Sequence, residues 1–171
     1  TQLVLYRISG KSPFTALVGK LLPQTLVFWL IAILYAVYFY RYLQFPCNSG
    51  ILPMMLIGML TVLGAQGLAA FIFGVCGQMR LSMCLCSLWG ILSFSLAGFT
   101  FPVTAMDGIL QKLSVLFPLR HYYLLYVNQA LNGYSIVYAW HSLLAMVIFA
   151  LLPLITLRHY NNLFLNHKYI P

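Results

Sequence analysis

The residues of this chain that could take part in chemistry are few and widely spaced. Asp107 is the only acidic residue, so the sequence offers no pair of carboxylates for general acid–base catalysis and no acidic cluster for a hard metal ion. Gly10-Lys11-Ser12 matches the end of a phosphate-binding loop, but the first glycine of that motif is replaced by Leu5. We therefore predict no catalytic residue and no nucleotide hydrolysis by this chain alone.

Histidines and cysteines also lack the spacing of a metal or redox site. No two of the four histidines stand four residues apart, as two ligands on one helix would. Cys84 and Cys86 are two residues apart, which places them on different sides of a helix and departs from the C-x-x-C pattern. His141 adjoins a predicted span that contains no carboxylate, so we interpret it as an interfacial or packed residue rather than as a proton relay. We predict no metal ligand and no bound cofactor.

The composition shows which elements must carry these residues. Hydrophobic residues make up 63% of the chain, charged residues only 6%, and the mean hydropathy is +0.93, whereas about a quarter of a soluble domain is charged. A membrane-crossing helix needs about 20 mostly apolar residues. We predict an all-α polytopic membrane protein whose transmembrane domain covers 21–171, with four spans at about 21–41, 53–76, 81–103 and 137–157.

The connection at 107–135, between the third and fourth predicted spans, is too polar to cross a membrane. Apolar residues nevertheless recur in it near helical spacing, and Pro118 suits a first helical turn. We predict a helix that lies in the outer membrane interface or that dips into the membrane and returns. The apolar series is Leu116, Leu119, Tyr123, Val127 and Ala130.

Positive charges lie between the apolar stretches rather than on one face, which argues against nucleic-acid binding. Nine Lys and Arg against one acid give a formal charge of +8. Counting positive residues near the ends of the spans predicts that both termini of this segment are cytoplasmic. The predicted cytoplasmic set is Arg7, Lys11, Lys20, Arg80, Arg158 and Lys168, against Arg41, Lys112 and Arg120 on the other side.

Two further patterns concern the interior of the spans. Small residues form stripes that let helices approach closely in lipid, either within the chain or between two copies. Gln66 is a costly polar group in the middle of the second span, so it should face a neighbouring helix or a substrate path. The small residues singled out for span packing are Gly67, Gly74, Gly90 and Ala97.

Three blocks of sequence, in this order, resemble the C-terminal portion of a type-2 ABC exporter permease. The first is Pro13-Phe14 followed by Gly19-Lys20-Leu21-Leu22-Pro23, similar to a basic loop that leads into a span. The second is Ala97-Gly98-Phe99-Thr100-Phe101-Pro102 with Met106, and the third is Phe117-Pro118-Leu119-Arg120-His121-Tyr122-Tyr123. Ser12 and Asp107 depart from the family pattern, which leaves the loop geometry open.

The resemblance implies the last four of about six spans, preceded by a cytoplasmic coupling segment at 1–20. It also implies a second permease subunit, an ABC ATPase subunit that binds ATP and Mg, and a bacterial inner membrane as the setting. The resemblance assigns coupling to the ATPase to Arg7, Lys11, Pro13, Phe14 and Lys20. The alternative interpretation is that these residues are ordinary positive-inside anchors. The resemblance assigns an outer gate to Phe101, Pro102, Phe117, Pro118 and His121. The alternative interpretation is that these residues only end helices and anchor the chain at the membrane interface.

Function therefore has one leading interpretation and two alternatives. The leading one is the membrane subunit of an ATP-driven exporter for a drug, lipid or other amphipathic substrate. A secondary carrier would need a transport path lined by polar side chains, and Gln66 with a few serines supplies few of them. A non-transporting membrane scaffold subunit is the other alternative.

Overall fold

The computed structural model describes residues 13–156, and in this range the protein is helical without any strand. Four segments are long and apolar enough to cross a membrane: Leu17–Tyr42, Ile51–Cys76, Met79–Leu96 and Val137–Thr156. The predicted all-α, four-span class is confirmed. In chain order the α-helices are α1 (Pro13–Val37), α2 (Ile51–Cys76), α3 (Met79–Leu96), α4 (Gly108–Ser114), α5 (Pro118–Tyr126) and α6 (Trp140–Leu151).

Two of these helices end in a π-helical turn, and two short 3-10 turns complete the described elements. Tyr38–Tyr42 continues α1, and Val127–Leu131 continues α5. The 3-10 turns are Val103–Ala105, which precedes α4, and Ile136–Ala139, which leads into α6. The fourth apolar span thus begins in a 3-10 turn rather than in the α-helix itself.

Helix α2 is the centre of the bundle and packs against α1, α3, α5 and α6. Its closest approach is to α6 at Gly67, where an added Cβ would overlap the Phe149 carbonyl oxygen and lie 2.8 Å from the Ala150 Cα. In lipid, small residues are what allow helix backbones to come this close.

We call the two ends of the bundle the Gly77 end and the Asn48 end, after a residue that lies at each. At the Gly77 end, Gly77 adopts φ +68° and its N–H donates to the Phe73 carbonyl, which closes α2 and allows an immediate turn into α3. At the Asn48 end, a loop joins α1 to α2. Trp29 Nε1 donates to the Met59 carbonyl over 3.2 Å, and this bond ties α1 to α2.

Helix α3 is shorter than the sequence predicts, because it ends at Leu96 rather than near residue 103. Gly98 lies two residues later with φ +102°, a backbone conformation that stops a right-handed helix. Eighteen residues give a helix about 27 Å long, just under the hydrocarbon thickness of about 30 Å. The chain therefore leaves α3 before it reaches the level of the Asn48 end.

The connection after α3 enters the bundle and returns, which favours the second of the two placements that the sequence leaves open. The Phe117 ring, at the start of α5, lies 5.1 Å from the ring of Trp89 in the middle of α3. At the other end of the same helical segment, the Ala130 carbonyl accepts from Asn48 N–H over 3.1 Å. Helix α5 therefore runs from the middle of the bundle to its Asn48 end, and α4 and α5 form a re-entrant hairpin.

Candidate functional site

A polar contact joins α1 and α2 in otherwise apolar surroundings. Thr25 Oγ1 lies 2.6 Å from Gln66 Oε1 and 2.8 Å from the Leu21 carbonyl oxygen. A hydroxyl has only one proton to donate, so both bonds form if the Gln66 amide is rotated and its nitrogen donates to Oγ1. In either orientation the chain leaves part of the buried Gln66 amide without a partner among residues 13–156.

This polar pair borders a groove of about 530 Å³ between α1, α2 and the last turns of the fourth span. Thr25 and Gln66 supply its polar groups, Trp29 contributes its ring, and no charged side chain of residues 13–156 lines it. Such a surface can hold an apolar molecule and offer it hydrogen bonds at one place. The apolar walls come from Phe14, Leu17, Val18, Leu21, Leu22, Leu26, Leu63, Gly67, Ala150, Leu151, Pro153 and Leu154.

A second groove, of about 560 Å³, lies on the same pair of helices toward the Asn48 end. Its walls are rich in aromatic rings, and Tyr122 and Tyr126 of α5 close one side of it. The re-entrant hairpin thus borders the groove, so any shift of α5 against α2 would change its width. The aromatic lining residues are Phe28, Tyr35, Phe39, Tyr40, Phe45, Tyr122 and Tyr126.

The five predicted gate residues fall into two groups. Phe117, Pro118 and His121 are buried together at the start of α5. Phe101 and Pro102 are exposed in the loop after α3. Pro118 occupies the first helical turn, as its fixed φ favours. The structure brings the first three to the tip of the hairpin, while their role as a gate stays a prediction.

His121 closes the turn between α4 and α5. Its Nε2 lies 2.9 Å from the Val115 carbonyl oxygen, and since a carbonyl only accepts, Nε2 carries the proton and donates. The other ring nitrogen is buried without a partner in the described part of the chain, and the ring lies 6.1 Å from that of Phe149. The side chain therefore fixes the tip of the hairpin against α6.

The predicted coupling residues are only partly within the described range. Arg7 and Lys11 lie outside it, and Pro13 begins α1. Phe14 is half exposed, and Lys20 is exposed. The latter two are therefore accessible near the start of α1, and their coupling role stays a prediction.

The small residues chosen for span packing behave differently from one another. Gly67 and Gly74 are buried in α2, and Ala97 has no exposed surface. Gly90 is exposed, and a Cβ added there would meet nothing within 4 Å. Gly90 therefore makes no close helix contact within residues 13–156, and its role in packing stays a prediction.

Three residues hold the connection in place through contacts that the sequence did not predict. Asn48 Nδ2 donates to the Leu131 carbonyl over 2.8 Å, and Arg120 Nη1 donates to the Ala97 carbonyl over 3.1 Å. Gly133, with φ +64°, leaves room for Asn48, whose Cβ would be only 2.8 Å from an added Cβ. Asn-Ser-Gly at 48–50 signals a turn, but nothing in it identifies a partner more than 80 residues away.

Comparison with known proteins gives one match. The family model for ABC-2 family transporter proteins matches residues 3–157, so the chain belongs to the ABC-2 transporter family. It is accordingly a multi-pass membrane permease of an ABC transporter, a transport subunit whose family implies an ABC ATPase as its partner. None of the curated proteins and none of the solved structures compared with the chain matches it.

Proposed function

We propose that this chain forms, with a second permease subunit, the export path of an ATP-driven ABC exporter in a bacterial inner membrane. The observation that carries the proposal is the family match over residues 3–157. The charge inventory supports it, because a chain with Asp107 as its single acid lacks the intramembrane carboxylates on which ion-coupled carriers commonly depend. ATP and Mg then bind to the ATPase subunit, and no catalytic residue is needed in this chain.

The substrate class that we propose is an amphipathic molecule such as a drug or a lipid. Both grooves lie between α1 and α2, and their walls are apolar with few polar groups. Such walls suit a molecule that enters from the membrane rather than from water, and the Thr25–Gln66 pair offers it hydrogen bonds.

The mechanism that we propose couples ATP to the rearrangement of helices. Closure of the ATPase subunits pushes residues 1–20, which lie on the cytoplasmic side together with the other terminus of this segment. The bundle then changes between inward-facing and outward-facing states, and ATP binding favours one of them. The α4–α5 hairpin is the element we expect to move, because it contacts α2, α3 and α6 and borders the aromatic groove.

Purification of the full-length protein in mild detergent tests this proposal. We expect an ABC ATPase subunit in near-equal amount, and we expect the variant K11A/P13A/F14A to lose it because its coupling segment no longer docks. The control variant K112A removes a positive charge from exposed α4 and should retain the ATPase. Absence of any ATPase under several mild conditions would favour the secondary carrier or the scaffold, and an ATPase retained by the triple variant would refute the coupling assignment.

A further inference from the structure

Arg120 is a partly buried positive charge in the first turn of α5. It lies three residues after Phe117, whose ring contacts Trp89 in the middle of α3. It also precedes Ala130, which bonds to Asn48 at the end of the bundle, by ten residues, or about 15 Å at the helical rise. The Arg120 guanidinium lies at the level where α3 ends, because it bonds to the Ala97 carbonyl.

No carboxylate neutralises Arg120 in the part of the chain that the structure describes. The single acid, Asp107, is exposed, and its carboxylate accepts from Gly108 N–H over 2.9 Å to cap α4. A charged side chain at membrane depth is costly unless it faces water or binds an opposite charge, and such residues commonly mark functional sites. Arg120 therefore has no anionic side chain as a partner among residues 13–156.

The backbone around Arg120 holds the guanidinium in a fixed position. Nη1 donates to the Ala97 carbonyl at the end of α3 over 3.1 Å. Gly98 leaves the space for this contact, because a Cβ at that residue would lie 2.9 Å from Nη1. This bond occupies one of the five N–H donors of the guanidinium, and the remaining donors suit the two-pronged binding of a phosphate group.

Ala97, Gly98 and Arg120 border a space that we call the notch. An apolar surface lies beside this notch. The Phe99 ring lies 4.6 Å from the Tyr123 ring and stacks with Phe94 at 6.1 Å. Phe94 and Phe99 are each about half exposed. A ligand that carries both a phosphate and an acyl chain fits this surface better than a free phosphate ion does.

We propose that Arg120 binds the phosphate headgroup of an anionic membrane phospholipid in this notch, with an acyl chain against Phe94 and Phe99. The bound phosphate supplies the charge that no side chain in the described range provides, and the lipid ties the end of α3 to the re-entrant hairpin. The proposal concerns lipid binding without transport, so its test depends neither on export nor on the ATPase.

The test counts lipids retained by the purified full-length protein. The protein is placed in nanodiscs of equal parts phosphatidylcholine and phosphatidylglycerol, released, and analysed by native mass spectrometry. We expect R120Q to retain one phosphatidylglycerol fewer per subunit than the wild type. R120K should retain this lipid with roughly tenfold weaker affinity, because an ammonium keeps the charge but not the planar pair of donors. The control K112Q, which removes an exposed charge, should match the wild type.

Three results would overturn the proposal. Equal retention in the wild type and R120Q would show that Arg120 does not bind the lipid. An equal loss in K112Q would show a general effect of surface charge. Displacement of the extra lipid by inorganic phosphate would assign the site to the free ion instead. Should R120Q lower the melting temperature strongly, the comparison of R120K with the wild type decides, because R120K keeps the charge.

Discussion

Glycine residues in α2 show how much depends on the absence of a single side chain. Gly67 allows backbone contact with α6, whereas Gly58, in the same helix, faces Ala32 of α1 at an ordinary distance, with an added Cβ 3.9 Å from the Ala32 Cβ. The same residue type therefore has different structural importance at two places nine residues apart. The stripe of small residues in the sequence selects both Gly67, which lies at the contact with α6, and Gly90, which is exposed.

This difference predicts unequal costs for one added methyl group. G67A should lower the melting temperature of the purified protein by several degrees, because the α2 and α6 backbones must separate and lose close packing, at a cost of about 1–3 kcal/mol. G58A places its methyl at van der Waals distance and should change the melting temperature little. Differential scanning fluorimetry in detergent measures both variants. Equal melting temperatures for G67A and the wild type would contradict the close crossing.

Arg120 shows why single residues limit prediction from sequence. In the sequence it stands among polar and aromatic residues, which is typical of an interfacial loop. Its place in the bundle follows from the Trp89–Phe117 contact and from the bond to Ala97. These contacts join segments more than 20 residues apart, and no local pattern specifies them.

At the level of elements, length and apolar content were enough to predict the four spans. The connection at 107–135 was harder, because an interfacial helix and a re-entrant one share the same apolar period. The structure distinguishes them through contacts at both ends of α5, with Trp89 at one end and Asn48 at the other. The sequence also places the end of α3 too late, because the positive φ of Gly98 is a backbone property that the residue type permits but does not specify.

A re-entrant hairpin predicts that both ends of the connection face the same side of the membrane. Single cysteines introduced as T104C and Y134C, in a cysteine-free protein, should react with a membrane-impermeant maleimide added from one side. The native Cys47, restored alone, should react from that same side, because its loop bonds to the end of α5. R80C, at the turn into α3, serves as the opposite reference.

The labelling result also has a clear alternative. Reaction of T104C and Y134C from opposite sides would show that the connection crosses the membrane completely. Burial raises the pKa of the Cys47 thiol, so Cys47 should be labelled more slowly than T104C at neutral pH and faster as the pH rises. Since maleimide reacts with the thiolate, a side assignment for Cys47 is best made at mildly alkaline pH.

For the whole molecule, composition and three short blocks of sequence predicted the family, and the match over residues 3–157 confirms it. The same features say little about substrate or assembly, because apolar walls accept many amphipathic molecules. The sequence did not predict the grooves on α1 and α2, because their linings combine residues from helices that are distant in sequence. The site assignments for coupling and gating consequently remain predictions.

The central claim is that this chain transports while a separate subunit hydrolyses ATP, and ATP hydrolysis in lipid nanodiscs tests it most directly. The full-length permease together with its ATPase should hydrolyse Mg-ATP, and the permease alone should show no activity above background. Replacing the lysine in the phosphate-binding loop of the ATPase should abolish hydrolysis while leaving the complex intact. Hydrolysis by the permease alone, or a permease that moves its substrate with a proton gradient after ATP has been depleted, would contradict the account.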